Sequence, residues 1–335
     1  MNVIDMHNHF IAPEVIEFLA REGKHFATRI IERDGRRFFL IKESAMRPID
    51  GPISSAESRL DDMEREGITA QAVSCVPFLM YPEVDASRGL AIAQVNNDAL
   101  AALAAKDRDH FVSLSSVPLR DPTAAVNELE RAAKLGLRGV EIPPKVVERQ
   151  LDEQEFEEFW AAAEALQMLV CIHPFDAAPT GALARYFLGN LVGNLYDTGL
   201  AAALLIYGGV LQRHPQLKIV LYHAGGAFPA LIGRLDMGYR LVPECRDAIP
   251  RPPSTYARQF YFDTIAHNRS MLGHLVESFG ASRFVLGSDY PLPAGLAHPV
   301  DEVKSLALDW DDEQKILGEN ARRLLAPASS SVAKA

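Results

Sequence analysis

Two histidines one residue apart, His7 and His9, close the first apolar run of the chain as Asp5-Met6-His7-Asn8-His9. In an extended strand residues i and i+2 face the same side, so both imidazoles can converge on one point. That is half of a metal site, and two surface histidines beside the N-terminus are the plainer alternative. Three further ionisable groups fall in corresponding places. His173 follows Val170-Cys171-Ile172, His223 follows Val220-Leu221-Tyr222, and Asp289 follows Val285-Leu286-Gly287-Ser288. Any one of these could be a satisfied core group. Ionisable residues at four such ends together point to a shared site. Histidines and a carboxylate that leave a position for water match a catalytic Zn²⁺-type centre rather than a closed structural one.

The elements that must position these groups are legible as apolar runs at 3–7, 70–76, 111–117, 139–142, 169–173, 218–223, 260–263 and 284–289. The runs are rich in Val, Ile, Leu and Phe with little polar alternation, as strands buried on both faces require. Amphipathic stretches at 58–66, 89–105, 123–135, 154–166 and 311–325 predict helices between them, the third stopped by Gly136. This alternation predicts a closed (β/α)8 TIM barrel, with an open doubly wound sheet as the rival. The C-terminal strand ends of a barrel are where catalytic residues sit. Residues 20–57, with a turn signal at Asp34-Gly35, predict an inserted hairpin and loop after the first strand. Residues 176–200 and 240–258 predict long loops that wall the site. One domain is expected over 1–325, followed by a disordered tail at 326–335.

Composition narrows the function classes. The 335 residues carry 34 Lys+Arg against 44 Asp+Glu, a net charge of −10, which argues against a nucleic-acid or anionic-membrane surface. A hydrophobic share of 48% describes a core-forming chain. The three scattered cysteines, Cys75, Cys171 and Cys245, make no disulfide framework and fit a reducing cytoplasm. The start, Met-Asn-Val-Ile-Asp-Met-His, lacks the pattern of a signal peptide, and the longest nearly apolar stretch, 199–211, is too short for a membrane helix. A cytoplasmic enzyme is expected.

Taken together, His7-Asn8-His9, His173 in His-Pro-Phe-Asp, His223 in His-Ala-Gly-Gly-Ala-Phe-Pro and Asp289 in Gly-Ser-Asp-Tyr-Pro-Leu-Pro resemble the amidohydrolase superfamily. Within it the chain is similar to the branch typified by 2-amino-3-carboxymuconate-6-semialdehyde decarboxylase, from residue 3 to 325. The resemblance implies that His7, His9, His173 and Asp289 ligate one divalent metal, zinc with manganese as the alternative. It also implies that His223 is the general acid/base, with Asp289 assisting proton movement. Arg234 falls where the family has an arginine for the substrate carboxylate, one that reaches a neighbouring subunit's site in a homodimer. The chain departs from the family at a second arginine. That arginine follows an Asp-Gly-Lys-Val-Phe segment, whereas here Asp34-Gly35-Arg36-Arg37-Phe38 is followed by Phe39, and Arg47 takes its place. Tyr290 and Leu292 are expected in the pocket wall.

The implied activity is non-oxidative decarboxylation of a small unsaturated or aromatic carboxylic acid. A metal hydrolase or hydratase is the alternative, because water attack on a carbonyl or alkene needs the same ligands. A non-enzymatic binding protein is a third class, disfavoured by the full ligand set. A divalent cation with one carboxylate ligand, together with Arg234, makes the pocket locally positive and suited to a carboxylate substrate despite the acidic exterior. Other polar residues carry plainer readings. Cys75 and Cys171 read as core, while His25, His110, His214 and His274 read as solvated. His267 and His298 are either pocket lining or surface, and Glu141 and Asp263 are either pocket groups or buried structural carboxylates. Gly225-Gly226 reads as a tight turn.

Overall fold

A computed structural model describes residues 2–43, 45–174 and 180–327. Eight parallel strands follow one another around a single sheet in chain order. They are β1 (Ile4–Phe10), β2 (Ala70–Cys75), β3 (Phe111–Ser115), β4 (Gly139–Ile142), β5 (Leu169–Ile172), β6 (Lys218–Leu221), β7 (Phe260–Asp263) and β8 (Phe284–Val285). Backbone bonds from Met6 N to Leu286 O (2.8 Å), Asp289 N to His7 O (2.7 Å) and His9 N to Tyr290 O (2.7 Å) join the last strand to the first. The sheet therefore closes on itself as a (β/α)8 TIM barrel. Helices such as Ala86–Lys106, Pro122–Leu135, Leu195–Tyr207 and Arg269–Phe279 lie between successive strands in the chain. The third predicted helix runs from an Asp121 cap on Ala124 N to Gly136, whose φ of 93° ends it.

The core has two layers. Outside the strands, Trp160, Leu205, Phe228 and Phe260 belong to a large cluster. Inside the barrel, Ile4, Met6, Ala72, Leu114, Leu169, Val220, Tyr222 and Val285 form a smaller plug. Ile4 and Met6 thus point inward, and simple alternation would turn Asn8 inward next. An irregularity in the β1–β2 pairing between Asp5 and Asn8 inserts one residue and reverses the parity, so His7 and His9 face the interior instead. The Asn8 amide stitches this bulge, donating to Asp5 O (3.0 Å) and Ala72 O (3.2 Å). Buried Arg59 donates to Asn8 Oδ1 (3.0 Å), Gln71 Oε1 (2.8 Å) and the His9 carbonyl.

Several expectations need correction. Residues 20–57 hold the end of a helix (Pro13–Glu22) and three antiparallel strands, Thr28–Arg33, Arg36–Ile41 and Ala45–Pro48, the first two turning at Asp34-Gly35 and the third standing where a loop is expected. The third strand exists because Phe39 pairs with Arg47 and Leu40 with Met46. Residues 176–200 and 240–258 are largely helical where described. Gly189–Asn194 leads into Leu195–Tyr207, Phe228–Leu241 runs into the second stretch, and Pro253–Ala257 lies within it. The helix Leu195–Tyr207 is buried along most of its length, so its apolar residues do not make the one-sided stripe that sequence periodicity detects. The positions 176–179 and 328–335 of the expected loop and tail lie outside the described residues.

Candidate metal centre and active site

His7 and His9 reach the barrel mouth from the bulged end of β1, His173 directly after β5, His223 just beyond β6, and Asp289 beyond β8. Asp289 lies among all four imidazoles. Its Oδ1 is 3.3 Å from His7 Nε2, 3.0 Å from His9 Nε2 and 3.9 Å from His173 Nε2, and its Oδ2 is 3.8 Å from His223 Nε2. Donor atoms of His7, His173, His223 and Asp289 all lie within 4.8 Å of one another. His223 and Asp289 adopt left-handed backbone angles, φ 55° and 60°, which turn them out of the strand direction.

The carboxylate Asp263, at the end of β7, holds two of these groups, His7 and His223, in place. Its Oδ2 bonds His7 Nδ1 at 2.6 Å and accepts from His223 N at 2.9 Å, while Oδ1 accepts from Ala224 N and Ile265 N. His9 Nδ1 meets the Cys75 carbonyl at 3.1 Å and Ser74 Oγ at 3.3 Å, and Ser74 in turn donates to Glu141 at 2.6 Å. His173 Nδ1 donates to the carbonyl of Pro174 at 2.6 Å. Of the two open sequence readings for Asp263 and Glu141, each is a buried carboxylate that supports an imidazole. Sequence reasoning missed Tyr222, whose ring lies flat on His7 with centroids 3.7 Å apart. No local signal distinguishes it from an ordinary apolar strand residue.

Electrostatics fit a cation. Burial disfavours a charged His7, yet Asp289 and Asp263 outweigh it and raise the imidazolium to about 10. Burial likewise opposes a charged Asp289, but the His7 charge and the neighbouring imidazoles of His173 and His223 hold its carboxyl well below the usual range. His173 is pushed well below its ordinary value, chiefly by burial, and so stays neutral as a ligand nitrogen must. Among the described residues, the buried Nε2 atoms of His7 and His173 find no hydrogen-bond partner. Two unpaired imidazole nitrogens aimed at an anionic carboxylate are what a divalent metal would satisfy, with the opposite ring nitrogens oriented by a carboxylate and a carbonyl.

The site opens into a cavity of about 1090 Å³ that both His223 and Asp289 line. Ile265, Ala266 and His267 after β7 and Pro293 to Gly295 after β8 supply part of its wall. His267 is thus a lining residue, and His274, exposed as the sequence predicts, stands at the same cavity, whereas exposed His298 pairs with Glu66 at 2.9 Å. His214 is also buried rather than solvated, bonded to Glu157 and Glu164. Arg47 stands over the Phe78 ring at 6.0 Å. Tyr290 is half-buried, its hydroxyl donates to Asp62, and Arg59 lies over its ring. Leu292 packs against the hydrophobic core, and Arg234 is exposed on Phe228–Leu241, the helix that follows His223.

An eight-stranded parallel barrel with imidazoles and one carboxylate gathered at its C-terminal mouth defines the class of metal-centre barrel enzymes. Residues 4–326 match the amidohydrolase family, and the chain belongs to it. It is 31% identical over 289 residues to 2-amino-3-carboxymuconate-6-semialdehyde decarboxylase of Dictyostelium discoideum, covering 85% of this chain and 80% of the relative. It is 27% identical to gamma-resorcylate decarboxylase of a Rhizobium species, covering 80% and 86% of the two chains. The dihydroxybenzoic acid decarboxylase of Polaromonas sp., solved with bound manganese and 2-nitroresorcinol, superposes with a TM-score of 0.77 over 97% of each chain at 24% identity. Among the described residues no helix is long and apolar enough to cross a membrane.

Proposed function

We propose that this chain is a metal-dependent, non-oxidative decarboxylase of a small unsaturated or aromatic carboxylic acid. The observation that carries the reading is the gathering of four imidazoles around Asp289, beside a cavity that His223 and Asp289 line. Decarboxylation is favoured over hydrolysis or hydration by the named activities of the family relatives. In this reading His7, His9, His173 and Asp289 hold one divalent metal. Zinc is our assignment, from the nitrogen-rich donor set, and manganese is the alternative. The metal supplies Lewis-acid stabilisation of negative charge that develops on a substrate oxygen.

The chain's own residues do the remainder. His223 is partly open to the cavity, its side chain 16% exposed, with Nε2 3.8 Å from Asp289 Oδ2. From there it delivers a proton to the carbon that bears the carboxylate, and Asp289 assists in moving that proton. The bond to the carboxylate then breaks, its electron pair restores the conjugated system, and CO₂ leaves. Arg47 is assigned to the substrate carboxylate, and Tyr290 and Leu292 to the framework behind the wall. Arg234, exposed on its helix, is assigned to the site of a neighbouring copy in a homodimer. The exposed apolar side chains Tyr186, Phe187, Leu191, Val192 and Tyr196 support such an interface. Sedimentation as a monomer at micromolar concentration would overturn the dimer. Three free cysteines favour the cytoplasm.

The chemistry is tested with a panel of hydroxy- and aminobenzoates, muconates and their esters in D₂O and in ¹⁸O-labelled water. The expected result is CO₂ release with one deuterium at the carbon that lost the carboxylate. Turnover without CO₂, or ¹⁸O incorporated into the organic product, would replace the decarboxylase with a hydrolase or hydratase.

A further inference from the structure

Tyr222 is the last residue before His223, and it is fully buried among the inward-facing side chains of the barrel. Its ring lies parallel to the His7 imidazole, with centroids 3.7 Å apart and planes 8° from parallel. The same ring meets His173 edge-on at 5.6 Å and 83°. Its hydroxyl crosses to β1 and donates to the carbonyl of Met6 at 2.8 Å, at the bulge that turns His7 inward. One tyrosine therefore touches two of the proposed ligands and anchors the backbone beside one of them.

These contacts matter because the χ2 torsion of histidine is broad and roughly two-fold, so backbone placement alone leaves the ring plane free. Asp263 fixes where His7 Nδ1 sits, at 2.6 Å, but a single hydrogen bond still permits the ring to tilt around it. The flat face of Tyr222 removes that tilt and leaves Nε2 a single direction. A cation bound at Nε2 would draw positive charge onto the imidazole, and an aromatic face attracts positive charge. The stack is therefore retained when a metal replaces the proton of His7, because the ring carries positive charge in either state.

We infer that Tyr222 is a positioning residue that sets the ring planes of His7 and His173 for metal binding. The inference rests on the metal-centre reading above. Two variants separate the ring from the hydroxyl: Y222F keeps the stack and loses the bond to Met6, and Y222L removes the aromatic face. Zn²⁺ affinity is measured by competition with a chromophoric chelator, and ligand geometry by the visible bands of the Co²⁺-loaded protein. We expect Y222F to stay close to wild type. Y222L is expected to lose about 10- to 100-fold in affinity, the range seen when the groups that orient metal ligands are removed, and to shift the Co²⁺ bands. A Y222L protein with wild-type affinity and unchanged bands would overturn the inference.

Should Y222L not fold, Y222F still decides the matter. Metal added to the wild type should perturb the near-ultraviolet tyrosine band, and Y222F should lose that perturbation. An undiminished perturbation in Y222F would overturn the role of Tyr222. No metal uptake by the wild type would overturn the centre itself and this inference with it, whereas wild-type uptake with an unaltered Y222L, or with an undiminished perturbation in Y222F, overturns this inference alone.

Discussion

Replacement of Asp289 by alanine is expected to abolish stoichiometric metal binding and turnover together, with activity falling by at least about 10³-fold. Among the described residues, Asp289 is the one carboxylate in direct reach of four imidazoles, at 3.0 to 3.9 Å. Its removal leaves nitrogens facing one another with no carboxylate among them to ligate a divalent ion. Asp289→Asn keeps the shape and loses the charge, so it should fail in the same way. His7→Ala should also lose the metal, because it deletes an Nε2 whose orientation Asp263 and Tyr222 both enforce. Elemental analysis of the purified variants checks both. Stoichiometric metal retained in Asp289→Ala and His7→Ala would mean that the ligands lie elsewhere.

The same experiment has a pH dimension. In the metal-free protein His7 holds its proton up to about pH 10, and a metal must displace that proton to reach Nε2. Apparent metal affinity therefore falls as pH is lowered below that value, by about tenfold per unit for each proton released.

His223→Ala is the second large effect, and it has the opposite signature. Metal should be retained while kcat/KM falls by about 10²- to 10⁴-fold, the range attributed to a positioned acid or base. His223 and His9 compete for the role of the fourth ligand. His9 Nε2 is closer to Asp289, at 3.0 Å, and fully buried. His223 has its backbone nitrogen on Asp263 and its side chain at the cavity, where a substrate carbon can be reached. Metal lost from His223→Ala but kept in His9→Ala would exchange the two assignments.

The barrel was legible because its strands are short apolar runs that need no partner to be recognised. Gly139–Ile142 and Phe260–Asp263 have the predicted bounds, and the others differ by a few residues at their ends. The errors fall where tertiary contacts outweigh local pattern. β1 extends through His7, Asn8 and His9 to Phe10 because the bulge buries these polar residues in the barrel. β8 shrinks to Phe284–Val285 because the residues after it bond to β1 through irregular geometry. The five ionisable residues at the site were visible as polar ends of apolar runs. Their supports were not, since Asp263 meets His7 across 256 positions, and no local period records such a distance. Arg47 and Arg234 could be placed in the chain but not relative to the cavity, because a loop strand and an exposed helix face carry no equivalent signal.

The closing contacts of the barrel have a consequence for the birth of the protein. The residues that seal the first strand to the last are those of the site, with Ser288 and Asp289 donating their backbone N–H groups to the carbonyl of His7. Gly287 is pressed so tightly there that a Cβ would lie 2.9 Å from Asp263 Cβ and 3.0 Å from His7 Cβ. His9 and Asp289 are 280 residues apart. On the ribosome, therefore, His9 of β1 emerges 280 residues ahead of its carboxylate. Pairing of such sequence-distant ends is the slow part of forming this topology. A nascent chain acquires its centre only in the step that completes its fold, so metal capture marks the end of folding.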